Sequence, residues 1–229
     1  MESNSMQNNP SAEPETIEAD GGLLVRPPAP WSLLVLAHGA GAGMRHAFME
    51  GIAGALAREG VASWRWEFPY MRSGSRRPDR PAVAVPAVRE AVERGRQFAP
   101  DLPLFAGGKS FGGRMTTQAD AGERLPVEGI VLLGFPLHPA GRPGIERADH
   151  LADGASPLLF LQGDRDALAD LDLLRPVIAR LGARATLHVV EGADHGFHVL
   201  KRSGRTDADV LREIASTAAA WLRDRVGVS

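Results

Sequence analysis

A serine flanked by glycines, Gly108-Lys109-Ser110-Phe111-Gly112, is followed in the chain by Asp166 and then His195. Serine alone is a weak nucleophile at neutral pH. It attacks carbonyl carbon when a nearby imidazole accepts its proton and a carboxylate orients that imidazole. The pentapeptide has the G-x-S-x-G form of a nucleophile elbow, in which a sharp strand-to-helix turn lifts the hydroxyl clear of a sheet. Apolar Leu102 to Ala106 precedes it and a helix-compatible segment follows, as an elbow requires. The order Ser, Asp, His points to acyl transfer with Ser110 as nucleophile.

The base is read as His195, in the glycine-containing loop Glu191 to Phe197, with His198 as its nearest rival. Three carboxylates compete to orient it. Asp166 lies furthest round the turn after strand 157–161 and is favoured; Asp164 suits a turn-capping role, and Asp194 is too close in sequence for ordinary geometry. Two backbone donors must face the developing oxyanion. The Phe111 N–H is one, and the Ala40 N–H in His38-Gly39-Ala40-Gly41 is the other, with His38 organising that loop. Side chains read as bordering substrate are Arg72, Lys109, Phe135 and Leu137. Arg72 belongs to a basic loop with Arg76, Arg77 and Arg80, which would suit an anionic group or simply be solvated.

The elements that must position these residues alternate. Apolar strand runs are expected at 32–37, 61–68, 102–106, 127–133, 157–161 and 185–190, and amphipathic helices at 46–59, 83–98, 111–122, 170–181 and 207–226. Such alternation builds a mostly parallel α/β sheet of about seven strands with helices on both faces, among them an N-terminal edge hairpin or strand near Gly22 to Val25. The sites of open α/β sheets gather at the strands' carboxyl edge. Residues 134–156 are too few for a large lid, so an open site is expected. Trp64 and Trp66 alternate with the strand period and are read as core.

Composition removes other classes. With 229 residues and 44% hydrophobic side chains the chain can fill one large core, read as a single domain over 21–229. A net charge of -2 argues against a nucleic-acid surface. The absence of cysteine excludes disulfides, thiolate nucleophiles and cysteine-bound zinc. The glycines at 39, 41 and 43 match neither nucleotide-binding spacing, and the seven scattered histidines form no ligand motif. No cofactor or metal is expected. No apolar run is long enough to cross a bilayer. Residues 1–20 hold five acids and no base, and are read as a flexible acidic leader of a cytoplasmic protein rather than a signal peptide.

Taken together, these motifs resemble the α/β-hydrolase superfamily, especially the small lidless enzymes around dienelactone hydrolases and carboxylesterases. His38 to Gly41, Phe68-Pro69-Tyr70 and Gly107 to Arg114 look like the branch of testis-expressed hydrolase-like proteins, across roughly Gly22 to Arg225. The resemblance implies Ser110, Asp166 and His195 as triad and Ala40 and Phe111 as oxyanion donors. Dienelactone hydrolases commonly carry a cysteine nucleophile, and Ser110 moves the expectation to a serine esterase acting on a small acyl ester. A thioester or lactone fits the same chemistry. Because the branch includes members of larger complexes, a protein partner, a homo-oligomer or a non-catalytic interaction role stays open.

Overall fold

The computed structural model describes residues 13–227. Its strands form one eight-stranded sheet: β1 (Glu15–Ala19), β2 (Gly22–Arg26), β3 (Ser32–Ala37), β4 (Val61–Trp66), β5 (Leu104–Lys109), β6 (Ile130–Leu133), β7 (Leu158–Gly163) and β8 (Ala185–Val190). The spatial order is β1-β2-β4-β3-β5-β6-β7-β8. From β4 to β8 all pairs are parallel, while β1 and β2 run antiparallel at one end. Parallel strands need long crossovers, usually helical, and these run through α1 (Ala47–Arg58), a single turn α2 (Pro69–Arg72) with α3 (Pro81–Phe98), α4 (Phe111–Gly122) and α5 (Leu171–Leu181), while α6 (Asp207–Val226) follows β8.

Strand alternation divides the core into two layers. Leu34, Leu36, Phe105, Val131 and Leu159 face α1 and α6. Leu33, Val35, Ala106, Leu132 and Phe160 face the layer of α3, α4 and α5. Trp64 and Trp66 are buried in this second layer, as their alternation requires. Among the described residues, no helix is long and apolar enough to cross a membrane.

The amino-terminal edge departs from expectation. Residues 15–19, assigned to a flexible leader, pair as β1 with β2. Asp20 and Gly21 have φ of 49° and 74°. Positive φ at both central residues is the type I′ hairpin turn, and Asp-Gly is a sequence that adopts it. The rest of the presumed leader, 1–12, lies outside the described residues. Segment 134–156 forms only a 3-10 turn at Glu146–Ala152, so no helical lid stands over the carboxyl edge.

Candidate active site

Ser110 occupies the turn between β5 and α4 with φ of 50° and ψ of -112°. A non-glycine side chain at positive φ is strained. Its neighbours hold it there: the Ser110 N–H donates to the Leu133 carbonyl at 3.0 Å, and the Arg114 N–H donates to the Ser110 carbonyl at 3.0 Å. The tight entry of α4 depends on Gly112. A methyl group there would lie 2.6 Å from the Ala37 and His38 carbonyl oxygens. Gly112→Ala is therefore expected to destabilise the fold by about 3 kcal/mol or more, because backbone cannot yield as a side chain can. Urea unfolding checks this; an unchanged midpoint would mean that α4 can slide outward without loss.

His195 approaches Ser110 on the loop that follows β8. Its Nε2 is 2.9 Å from Ser110 Oγ, and its Nδ1 is 2.7 Å from Asp166 Oδ2. Since Asp166 accepts, the hydrogen sits on Nδ1 and leaves Nε2 free to receive the serine proton. The Asp166 side chain is fully buried, whereas that of His195 is 26% exposed. Two further donors fix the carboxylate: Gln162 Nε2 to Oδ2 at 2.5 Å and the Leu168 N–H to Oδ1 at 2.7 Å.

The competing residues are engaged elsewhere. Asp164 Oδ1 accepts from the Gly192 N–H at 2.8 Å. Asp194 Oδ1 accepts from the Gly196 and His198 N–H groups at 2.8 and 3.0 Å, closing the loop on itself. His198 pairs with Asp207 at 2.6 Å on the exposed surface, and that hydrogen bond raises its pKa.

The loop after β3 borders the serine, since a methyl group on Gly39 would come within 3.8 Å of Ser110 Cβ. His38 is fully buried and organises this loop with both ring nitrogens: Nδ1 donates to the Gly39 carbonyl at 2.7 Å and Nε2 accepts from the Phe68 N–H at 3.2 Å. Burial lowers its pKa, favouring the neutral ring that this double role needs. The Gly41 N–H is taken by the Tyr70 hydroxyl at 3.0 Å. The Ala40 and Phe111 N–H groups have no acceptor among the described residues. Tyr70 and Gln162 were missed as supporting residues. A lone glutamine directly after the apolar Leu158 to Leu161 run was the signal for the second.

Three expected substrate contacts do not reach the surface. Phe135 and Leu137 are 1% and 0% exposed, because the turn after β6 folds them inward against Phe160 and its layer. Lys109 extends to the α1 and α6 side of the sheet, where Nζ donates to the His195 carbonyl at 2.5 Å. Arg72 is exposed but lines a small crevice with Trp66, Glu67, Glu90 and Arg94, with no triad residue in its wall. Arg76, Arg77 and Arg80 are also exposed, and the Arg76 carbonyl lies beside Gly41. Among the described residues, no group of three or more His, Asp and Glu side chains converges as a metal site.

A mostly parallel sheet with a strained serine at the turn from β5 into α4 is the arrangement of the α/β-hydrolase fold. Comparison with known proteins agrees. Residues 30–223 match the family described as an alpha/beta hydrolase domain, and the chain belongs to that family. Among solved structures, a dienelactone hydrolase from Anabaena variabilis superposes with a TM-score of 0.71 at 18% identity, covering 93% of this chain and 99% of that one. A lidless serine hydrolase from Xanthomonas campestris gives 0.68 at 20% identity, over 91% and 95% of the two chains. An α/β serine hydrolase homologue from Coxiella burnetii gives 0.67 at 19% identity, over 94% and 99%.

Proposed function

We propose that this chain hydrolyses small carboxylic esters through an acyl–serine intermediate at Ser110. The observation that carries this reading is the unbroken run of hydrogen bonds from Asp166 through His195 to Ser110, at 2.7 and 2.9 Å. Ser110 Oγ attacks the acyl carbon while its proton passes to His195 Nε2. The carbonyl oxygen becomes an oxyanion between the Ala40 and Phe111 N–H groups, each worth roughly 3 kcal/mol to the transition state. The carbon–alkoxy bond then breaks and Nε2 returns the proton to the leaving alcohol. Water, deprotonated by the same nitrogen, attacks the acyl carbon and the acid leaves as Ser110 recovers its proton. Asp166 holds the ring and offsets the imidazolium charge throughout.

The open approach favours a short acyl group, because a long chain needs an apolar cleft or lid to leave water. Thioesters and lactones present the same attackable carbon and stand as alternative substrates. With a fixed aryl leaving group, kcat/KM is expected to fall once the acyl chain exceeds a few carbons. A steady rise through long acyl chains would reject the small-ester reading.

A further inference from the structure

The base and the nucleophile sit on different elements, and the backbone of the loop that carries His195 is fastened to the turn after β7 and to the start of α6. Within the loop the backbone makes an isolated bridge, Ala193 to Val199, and bonds from the Asp194 N–H to the His198 carbonyl and from the Phe197 N–H to the Asp194 carbonyl; outside it, the Arg165 N–H donates to the Ala193 carbonyl at 3.0 Å, the Gly192 N–H to Asp164 at 2.8 Å and the Val199 N–H to Asp207 at 3.1 Å. Yet Nε2 must stay within hydrogen-bond reach of Ser110. A displacement of about 1 Å at a reacting pair can cost 100-fold in rate.

Lys109, the residue next to Ser110, spans this gap. It is 9% exposed. Its Nζ donates to the His195 carbonyl at 2.5 Å and lies 5.7 and 5.3 Å from the ring centres of Phe48 and Phe197. Those rings are stacked on each other, 5.4 Å apart. A methyl group on Gly134 would lie 3.1 Å from Nζ and 3.6 Å from both Asp166 Oδ2 and His195 Nδ1, so all three groups converge on one glycine. We propose that Lys109 is the positioning residue of the general base: its ammonium ties the His195 loop to the strand that carries the nucleophile. This rests on the triad reading given above.

The charge is costly where it stands, which argues that it is kept for function. Burial pushes the Lys109 ammonium down to about 8, against the opposing attraction of Asp166 and Asp194. Both carboxylates already have other donors. His195 itself is bound through its carbonyl, and the exposed His198 feels the Lys109 charge. A folded pKa below the ordinary value of 10.5 means that the unfolded chain holds more protons between about 8 and 10.5. Fold stability therefore gains from this group as pH rises through that window. The tie to His195 weakens as pH rises through about 8, since a charged donor makes a bond about twice as strong as a neutral one. Activity and this contribution to stability thus move in opposite directions, which a purely structural lysine would not produce.

The test uses the full chain, a serine-reactive phosphonate and a short-chain aryl ester, from pH 6 to 9.5. Wild type is expected to label at Ser110 and to lose several-fold in rate above about pH 8. Lys109→Met is expected to lower kcat at pH 7 by roughly 30-fold, with KM changed less than about threefold, and to show no alkaline fall. Lys109→Gln, a neutral donor, should fall between the two and also lack the alkaline fall. If Lys109→Met does not fold, Lys109→Gln and the wild-type profile decide. Wild-type kcat and pH profile retained in either variant, or a wild-type rate unchanged up to pH 9.5, would overturn the role of Lys109 and leave the triad standing. No labelling of wild-type Ser110 at any pH would overturn the triad reading and the Lys109 proposal with it.

Discussion

Ser110→Ala is expected to reduce ester turnover by a factor of about 10⁵ to 10⁶, to the level supported by binding and oxyanion donors alone. The side chain makes a single contact of consequence, to His195 Nε2 at 2.9 Å, and does not cap α4. Its removal leaves the backbone bonds of the elbow intact. Alanine retains the strain of φ at 50°, so the melting temperature should stay within a few degrees of wild type. Purified protein assayed with a short-chain ester gives the answer. Turnover equal to wild type would remove the proposed nucleophile.

Asp166→Asn should lower kcat by about 10⁴ through a different route. The carboxylate is an acceptor at both oxygens, taking hydrogen from His195 Nδ1, Gln162 and the Leu168 N–H. An amide must place one NH₂ among these donors. Aimed at His195, it would favour the tautomer with hydrogen on Nε2, which cannot receive the serine proton. Aimed at Leu168, it would oppose a backbone N–H in a buried site. Steady-state kinetics measure the loss, and circular dichroism separates it from unfolding. A fall of less than tenfold would transfer the orienting role to Asp164 or Asp194, despite the backbone bonds that occupy them.

The parallel sheet was legible because its strands are buried on both faces and read as continuous apolar runs, such as Leu33 to Leu36 and Leu158 to Leu161. The order Ser110, Asp166, His195 was legible because the elbow pins one member to a known point of the sheet. Strand β1 was not, since Glu15 to Ala19 is polar and half exposed; only the Asp20-Gly21 turn marked it. The end of β5 was also misread. Gly107 and Gly108 look like loop, but they remain in the strand where neighbouring backbone crowds in, with the Val131 and Ala37 oxygens nearest. The inward turn of Phe135 and the path of Lys109 depend on contacts between residues far apart in the chain. Lys109 fills the variable place in G-x-S-x-G, so the motif is silent about it.

The hairpin at the start of the described chain bears on colloidal behaviour. A sheet with two unlike end strands among the described residues, β1 and β8, could in principle join copies head to tail into an open fibre, because such a contact does not close by symmetry. Glu15 and Glu18 lie exposed on β1. An outer strand bearing charge repels the approach of another strand and blunts the template that its unpaired amides offer. The acids that looked like the mark of a loose leader thus place charge on an end strand, where charge disfavours pairing with a further strand.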